Sequence, residues 1–99
     1  MSRAVRHLII RGRVQRVGYR AFVEQMAQEL EVEGWVRNRA DGSVETLVAG
    51  DAAAVEEMIE ACRRGPPSAR VDGLEEREGG RDEIARRRDG EKFSVLPTV

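Results

Sequence analysis

Near the start of the chain, apolar residues first recur every two residues and then every three or four residues. This change predicts a strand followed by a helix. Between Val5 and Val14 the apolar positions alternate, as in a strand with one buried face. From Arg20 to about Glu31 they recur three and four residues apart, as on one face of an amphipathic helix. We expect Gly34 to follow the end of this helix.

A hairpin is predicted next. Trp35 and Val36 begin a second strand, and residues 44–49 form the returning strand. Asp41 and Gly42 lie between these two extended segments, and such a pair tolerates the positive φ angles that a tight turn requires.

A second helix is predicted from Asp51, a good N-cap residue, to about Arg64. Gly65-Pro66-Pro67 should end it, because glycine favours helix ends and proline cannot continue a helix. Residues 69–78 then resemble a fourth strand, and Phe93 with Val95 a short last one. Residues 79–91 are almost all charged or glycine, so we expect a solvated, mobile loop there.

This order of elements, βαββαβ plus a short C-terminal strand, predicts an α+β fold of the ferredoxin-like type. In that two-layer sandwich, two helices cover one face of an antiparallel sheet of four to five strands, with the third strand between the first and second. The 99 residues are 40% hydrophobic and suffice for one modest core, so we expect a single domain over residues 1–99.

Composition excludes several classes of protein. Seventeen basic and eighteen acidic residues leave a formal charge of -1, so no general attraction to nucleic acid or membrane is expected. The two central strands offer His7 but no Phe or Tyr for stacking RNA bases. With Cys62 as the single cysteine, no disulfide or multi-cysteine metal site can form. No apolar run could span a membrane, so we expect a cytoplasmic protein.

The candidate chemistry lies in the segment Gly12-Arg13-Val14-Gln15-Arg16-Val17-Gly18-Tyr19-Arg20. A strand that enters a tight loop and then a helix N-terminus directs several main-chain N–H groups at one small volume, which suits an anion. Arg20 adds a permanently charged fork, which favours a phosphate dianion. A P-loop of the NTPase type is excluded, because no Gly-Lys-Ser/Thr follows the loop.

Together with a second motif, Gly34-Trp35-Val36-Arg37-Asn38 followed by Asp41-Gly42-Ser43-Val44-Glu45, this loop resembles the acylphosphatase family. The resemblance implies hydrolysis of small acylphosphates to a carboxylate and inorganic phosphate. It also implies that Arg20 binds the phosphate and that Asn38 holds the attacking water. The main-chain N–H groups of the loop would complete the phosphate site; they belong to Gln15, Arg16, Val17, Gly18, Tyr19 and Arg20.

No metal or other cofactor is expected for this reaction, because main-chain amides and one Arg can position and neutralise the phosphate. The family commonly has Gly at the position of Arg16. If this position requires a positive φ, Arg16 costs about 1 kcal/mol in strain; if not, it adds a second positive charge at the mouth of the site. Two alternatives stay open, a non-catalytic phosphate- or anion-binding regulatory module and a protein-interaction domain that uses residues 79–91. We expect a monomer.

Overall fold

The computed structural model describes residues 2–99, which form one five-stranded sheet with helices packed against it. The elements in chain order are β1 (Arg3–Arg13), α1 (Tyr19–Leu30), β2 (Glu33–Asn38), β3 (Val44–Asp51), α2 (Ala52–Arg64), β4 (Arg70–Glu78), α3 (Arg81–Ile84) and β5 (Phe93–Val95). The strand order is β4-β1-β3-β2-β5, so the third strand lies between the first two, and the predicted ferredoxin-like α+β fold is confirmed.

The fifth strand corrects one part of the prediction. β1, β3, β2 and β4 pair in antiparallel fashion, but β5 runs parallel to β2, so the sheet is mixed. The reason is topological. β4 ends at the end of the sheet where β2 begins, so the chain crosses there to the far edge and enters β5 in the direction of β2.

The core lies between the sheet and α1 and α2. Alternating strand residues and one face of each helix meet there without access to solvent, as their apolar spacing predicts. The strands contribute Leu8, Ile10, Val36, Val44 and Val48, and the helices contribute Val23, Ala27, Val55, Met58 and Cys62, all fully buried.

The two main helices end differently. α2 begins as predicted, with the Asp51 carboxylate accepting a hydrogen bond from the Ala53 N–H at 3.2 Å, and it ends at Gly65. Gly34 follows the end of α1 as expected but does not cap it, because the C-cap residue is Glu31, which has a left-handed φ of 57°. Gly34 lies within β2 instead, where a Cβ atom would come within 1.8 Å of the Leu47 carbonyl oxygen. Close approach of two strands therefore requires this glycine.

Residues 79–91 also differ from expectation, since they fold onto the sheet face opposite α1 and α2 instead of forming a solvated loop. The Trp35 indole N–H donates to the Glu83 carbonyl oxygen at 2.7 Å, and Ile84 packs against Trp35 and Leu47. The Glu83 carboxylate accepts two hydrogen bonds from Arg77, which lower its pKa to about 2. The high charge of the segment concealed the single apolar residue that anchors it.

None of the helices within residues 2–99 has the length and apolar character needed to cross a bilayer.

Candidate active site

The loop between β1 and α1 brings unpaired main-chain donors together at the first turn of α1. Within residues 2–99, the N–H groups of residues 15–20 donate to no protein acceptor, and the first N–H bonded in the helix is that of Phe22, to the Gly18 carbonyl at 3.0 Å. Arg16 and Gly18 have left-handed φ angles of 62° and 79°. Arg16 therefore has the positive φ that was considered for this position, and its main chain adopts a conformation that favours glycine.

Arg20 and Asn38 line the same cavity, which has a volume of about 470 Å³. The cavity is bounded by the loop, the first turns of α1 and the end of β2; its lining residues include Val14, Arg16, Gly18, Tyr19, Arg20, Ala21, Glu24, Asn38 and Val95. Among the described residues, no carboxylate lies within 4 Å of the guanidinium of either Arg16 or Arg20. The cavity therefore carries two uncompensated guanidinium groups beside a set of unpaired N–H donors, which favours an anion.

Asn38 is the last residue of β2, and its main chain is held on both sides. Its carbonyl oxygen accepts a hydrogen bond from the Val99 N–H at 3.1 Å, and the Ala40 N–H donates to the Val99 carbonyl at 2.7 Å. The side-chain Oδ1 of Asn38 is buried and accepts no hydrogen bond from the described residues. A buried acceptor without a partner is costly, so this oxygen is suited to a small polar molecule such as water.

Gln15 connects the loop to the hairpin that follows Asn38. Its Nε2 donates to the Arg39 carbonyl at 2.8 Å and to the Ser43 carbonyl at 2.9 Å. The sequence motifs indicated only a main-chain contribution from Gln15, and no spacing pattern pointed to this side-chain contact. The contact holds the loop against the residue next to Asn38 and therefore sets the separation of the two halves of the cavity.

The hairpin turn lies where the Asp41-Gly42 pair predicts it, although only Gly42 of the two residues has a positive φ. The Asp41 carboxylate accepts hydrogen bonds from the Ser43 hydroxyl at 2.6 Å and from the Ser43 N–H at 3.0 Å. These two bonds are the main cause that lowers the pKa of Asp41 to about 2. Gly42 has a φ of 93°, which explains the glycine in the turn.

Other side chains fix the loop from behind. The Tyr19 hydroxyl donates to the Cys62 carbonyl oxygen at 2.6 Å, which joins the first residue of α1 to α2. Burial raises the pKa of the Tyr19 hydroxyl far above its usual range, and it raises the pKa of the Cys62 thiol to about 12. The Ser68 hydroxyl donates to the Val17 carbonyl at 2.6 Å. Tyr19 and Cys62 are thus packing residues that stay un-ionised near neutral pH.

The opposite face of the sheet holds a partly buried, hydrogen-bonded cluster formed by His7, Arg37 and Glu45. The Glu45 carboxylate lies 2.6 Å from His7 Nε2 and accepts a hydrogen bond from Arg37 Nε at 2.7 Å. Burial alone would raise the pKa of Glu45, but the contacts with Arg37 and His7 outweigh it and lower the pKa. The Arg37 guanidinium also lies 4.8 Å from the centre of the Trp35 ring. Since Arg37 directly precedes Asn38, this cluster anchors the end of β2.

No group of three or more His, Cys, Asp or Glu side chains within residues 2–99 is close enough together to hold a metal ion. Apart from the Glu24 carboxylate and the Asn38 carboxamide, the polar groups at the cavity are main-chain N–H and guanidinium donors, which favour an anion.

Fold and cavity together define a small ferredoxin-like α+β protein with a cavity suited to an anion. The family model described as acylphosphatase matches residues 6–94. An acylphosphatase of Rhodopseudomonas palustris (strain BisB18) is 61% identical over the full length of both chains. The crystal structure of the Bacillus subtilis acylphosphatase is 35% identical with a TM-score of 0.79, covering 93% of this chain and 97% of that one.

A second solved structure, an acylphosphatase from Coxiella burnetii, is 30% identical with a TM-score of 0.81, and the match covers 95% of this chain and 93% of that one. The chain belongs to the acylphosphatase family, and it is an enzyme that hydrolyses acylphosphates. The resemblance carried by the two sequence motifs is confirmed.

Proposed function

We propose that this enzyme hydrolyses acylphosphates without a metal ion, by attack of water on phosphorus. The N–H groups of residues 15–20 and the Arg20 guanidinium bind the phosphate, and Asn38 orients the water. The observation that carries the proposal is that four of the loop residues with unpaired N–H groups, Arg16, Gly18, Tyr19 and Arg20, line one cavity together with Asn38. The Arg20 guanidinium has no carboxylate partner among the described residues, and the Asn38 Oδ1 accepts no hydrogen bond from them.

The reaction requires few other groups of the protein. A carboxylate is a good leaving group, so phosphoryl transfer to water depends mainly on positioning and on neutralising charge at the phosphate oxygens. The loop amides and Arg20 supply both. Asn38 offers a neutral oxygen to one hydrogen of the water, and it does not repel the phosphate as a carboxylate would. The substrate phosphate accepts the proton that the water loses.

The test is hydrolysis of benzoyl phosphate in excess EDTA by the unaltered enzyme and two variants. We expect undiminished turnover in EDTA. Arg20→Gln should lower kcat/KM by about a thousandfold or more, because it removes the principal charge on the transferring group. Asn38→Ala should lower kcat by about a hundredfold while inhibition by inorganic phosphate persists, because the phosphate site stays intact.

Two results would refute this mechanism: near-normal turnover by Arg20→Gln, or loss of turnover in EDTA that added divalent metal restores. A non-catalytic regulatory module would instead bind inorganic phosphate, with Arg20→Gln abolishing that binding, and would turn over neither benzoyl nor acetyl phosphate.

We further propose that residues 1–99 act as a single-domain monomer in the cytoplasm, on a small-molecule substrate, without a cofactor, nucleic acid or membrane. The nearly balanced charge of 17 basic and 18 acidic residues supports the part of this proposal that concerns nucleic acid and membrane. Sedimentation at several protein concentrations measures the oligomeric state directly.

A further inference from the structure

Glu24 occupies a position in the active-site cavity for which the proposed mechanism has no use. It lies in the second turn of α1, four residues after Arg20 and on the same face of the helix, and its side chain is half-buried. Despite that spacing, no basic group of the described residues lies within 4 Å of its carboxylate. An uncompensated acid thus lines a cavity that otherwise attracts anions.

Glu24 also borders a second cavity, of about 380 Å³, between α1 and the start of β5. Besides Glu24, three charged residues line this second cavity: Glu31, Glu91 and Lys92. Three carboxylates therefore face one ammonium group there. The charge of the side chains that line the two cavities therefore changes along α1, from positive at the proposed phosphate site to mainly negative beyond Glu24.

The residues that line the cavity restrict where the acyl group of a bound substrate can lie. The loop, Arg16 and Arg20 surround the phosphate, and Asn38 takes the side from which water attacks. In an in-line displacement the leaving carboxylate lies opposite the water. The accessible lining residues that have no role in binding the phosphate or the water are Ala21, Glu24 and Val95, so an acyl group that stays within the cavity is expected to contact these residues.

We propose that Glu24 is a specificity-determining residue, which selects acylphosphates whose acyl group is neutral or cationic over those with a second carboxylate or phosphate. This inference rests on the proposed binding mode of the phosphate. Its physical basis is repulsion between the Glu24 carboxylate and an anionic acyl group in a partly buried site, where charges are screened less than in open water.

The test uses three substrates that share one rigid frame: benzoyl phosphate, 4-carboxybenzoyl phosphate and 4-(aminomethyl)benzoyl phosphate. The kcat/KM of each is measured for the unaltered enzyme, for Glu24→Gln and for Glu29→Gln. Glu29 is a matched control because it is an exposed residue of α1 outside both cavities. Intrinsic reactivity differs among the substrates but cancels when the ratios of two enzymes are compared.

We expect the preference for benzoyl over 4-carboxybenzoyl phosphate to fall about fivefold in Glu24→Gln and to be unchanged in Glu29→Gln. The preference for the aminomethyl substrate should fall by a similar factor, and both effects should shrink as salt is raised.

Hydrolysis of all three substrates with unchanged preferences in Glu24→Gln would overturn this inference and leave the proposed function standing. An equal fall in kcat for all three would assign Glu24 to activation of the water, which also overturns it. Failure of the unaltered enzyme to hydrolyse any of them would refute the proposed function and, with it, this inference.

Discussion

Replacement of Arg16 by Gly separates the strain in the loop from the charge at its mouth. The φ of 62° at Arg16 lies in the left-handed region, where a residue with a Cβ atom costs about 1–2 kcal/mol. Gly avoids that cost but loses about 0.4–1 kcal/mol through the greater freedom of the unfolded chain. The difference predicts that Arg16→Gly stabilises the fold by about 0.5–1 kcal/mol, which raises Tm by roughly 2–8 °C for a domain of this size.

Arg16→Ala is the matched control, because it removes the same charge and retains the Cβ atom and the strained main chain. Its stability should lie close to that of the unaltered enzyme. Both variants lose a guanidinium group that lines the cavity, so both should raise KM for benzoyl phosphate about threefold at low ionic strength. That difference should disappear near 0.5 M salt, where the Debye length falls to roughly 4 Å.

The measurements are urea unfolding followed by the fluorescence of Trp35, and steady-state kinetics over a range of salt. If Arg16→Gly proves no more stable than Arg16→Ala, the left-handed conformation is not a source of strain. If both variants keep the KM of the unaltered enzyme at low salt, the side chain of Arg16 does not act on the substrate.

Three further outcomes are expected. Gln15→Ala should lower stability by about 2 kcal/mol and kcat about tenfold or more, and it should have little further effect on kcat in an Asn38→Ala background, measured as a double-mutant cycle. Glu45→Gln should cost about 3 kcal/mol near neutral pH. Because folding lowers the pKa of Glu45, this contribution is present above the unfolded pKa and is lost as pH falls through the folded pKa, so unfolding curves of the two proteins should converge in acid. Arg77→Gln should release α3 and shift Trp35 emission to the red without loss of hydrolysis, because α3 lies on the sheet face away from α1. Unshifted emission would contradict the expectation for Arg77. Equal sensitivity to acid in Glu45→Gln and the unaltered enzyme would contradict the expectation for Glu45.

The parts of the fold that follow from periodicity were predictable. Alternation in β1 and the three-to-four spacing in α1 and α2 depend on local geometry, so one sequence sufficed to place them. The Asp41-Gly42 turn and the Asp51 cap are likewise local, because each is satisfied by groups two residues away.

Contacts between distant segments were less predictable. The role of Gly34 depends on the approach of the Leu47 carbonyl from β3, and nothing in the neighbourhood of Gly34 in sequence reveals that approach. The packing of residues 79–91 depends on one apolar residue, Ile84, and on the hydrogen bond that the Trp35 indole N–H donates to the Glu83 carbonyl, 48 residues away in sequence. The parallel pairing of β5 is decided by where β4 ends.

The site itself was predicted in part. The motifs indicated the loop, Arg20 and Asn38, and the structure places Arg16, Gly18, Tyr19, Arg20 and Asn38 around one cavity, whereas Gln15 and Val17 of the loop do not line it. They did not reveal the Gln15 side-chain contacts or the position of Glu24. A Glu at that helical position is typical of an exposed amphipathic face, so only the cavity distinguishes it from Glu29.

The position of the site in the sheet explains why the loop needs its unusual main chain. β1 and β2 end at the same end of the sheet, but β3 lies between them, so the two strand ends are separated by about 10 Å. A phosphate held by the loop can lie next to a water held by Asn38, as proposed, only if the loop bends over the start of β3. The left-handed residues Arg16 and Gly18 provide the bend, and Gln15 holds it by donating to the carbonyls of Arg39 and Ser43. The loop conformation is therefore set by contacts outside the loop, which explains how Arg16 can occupy a position that favours glycine.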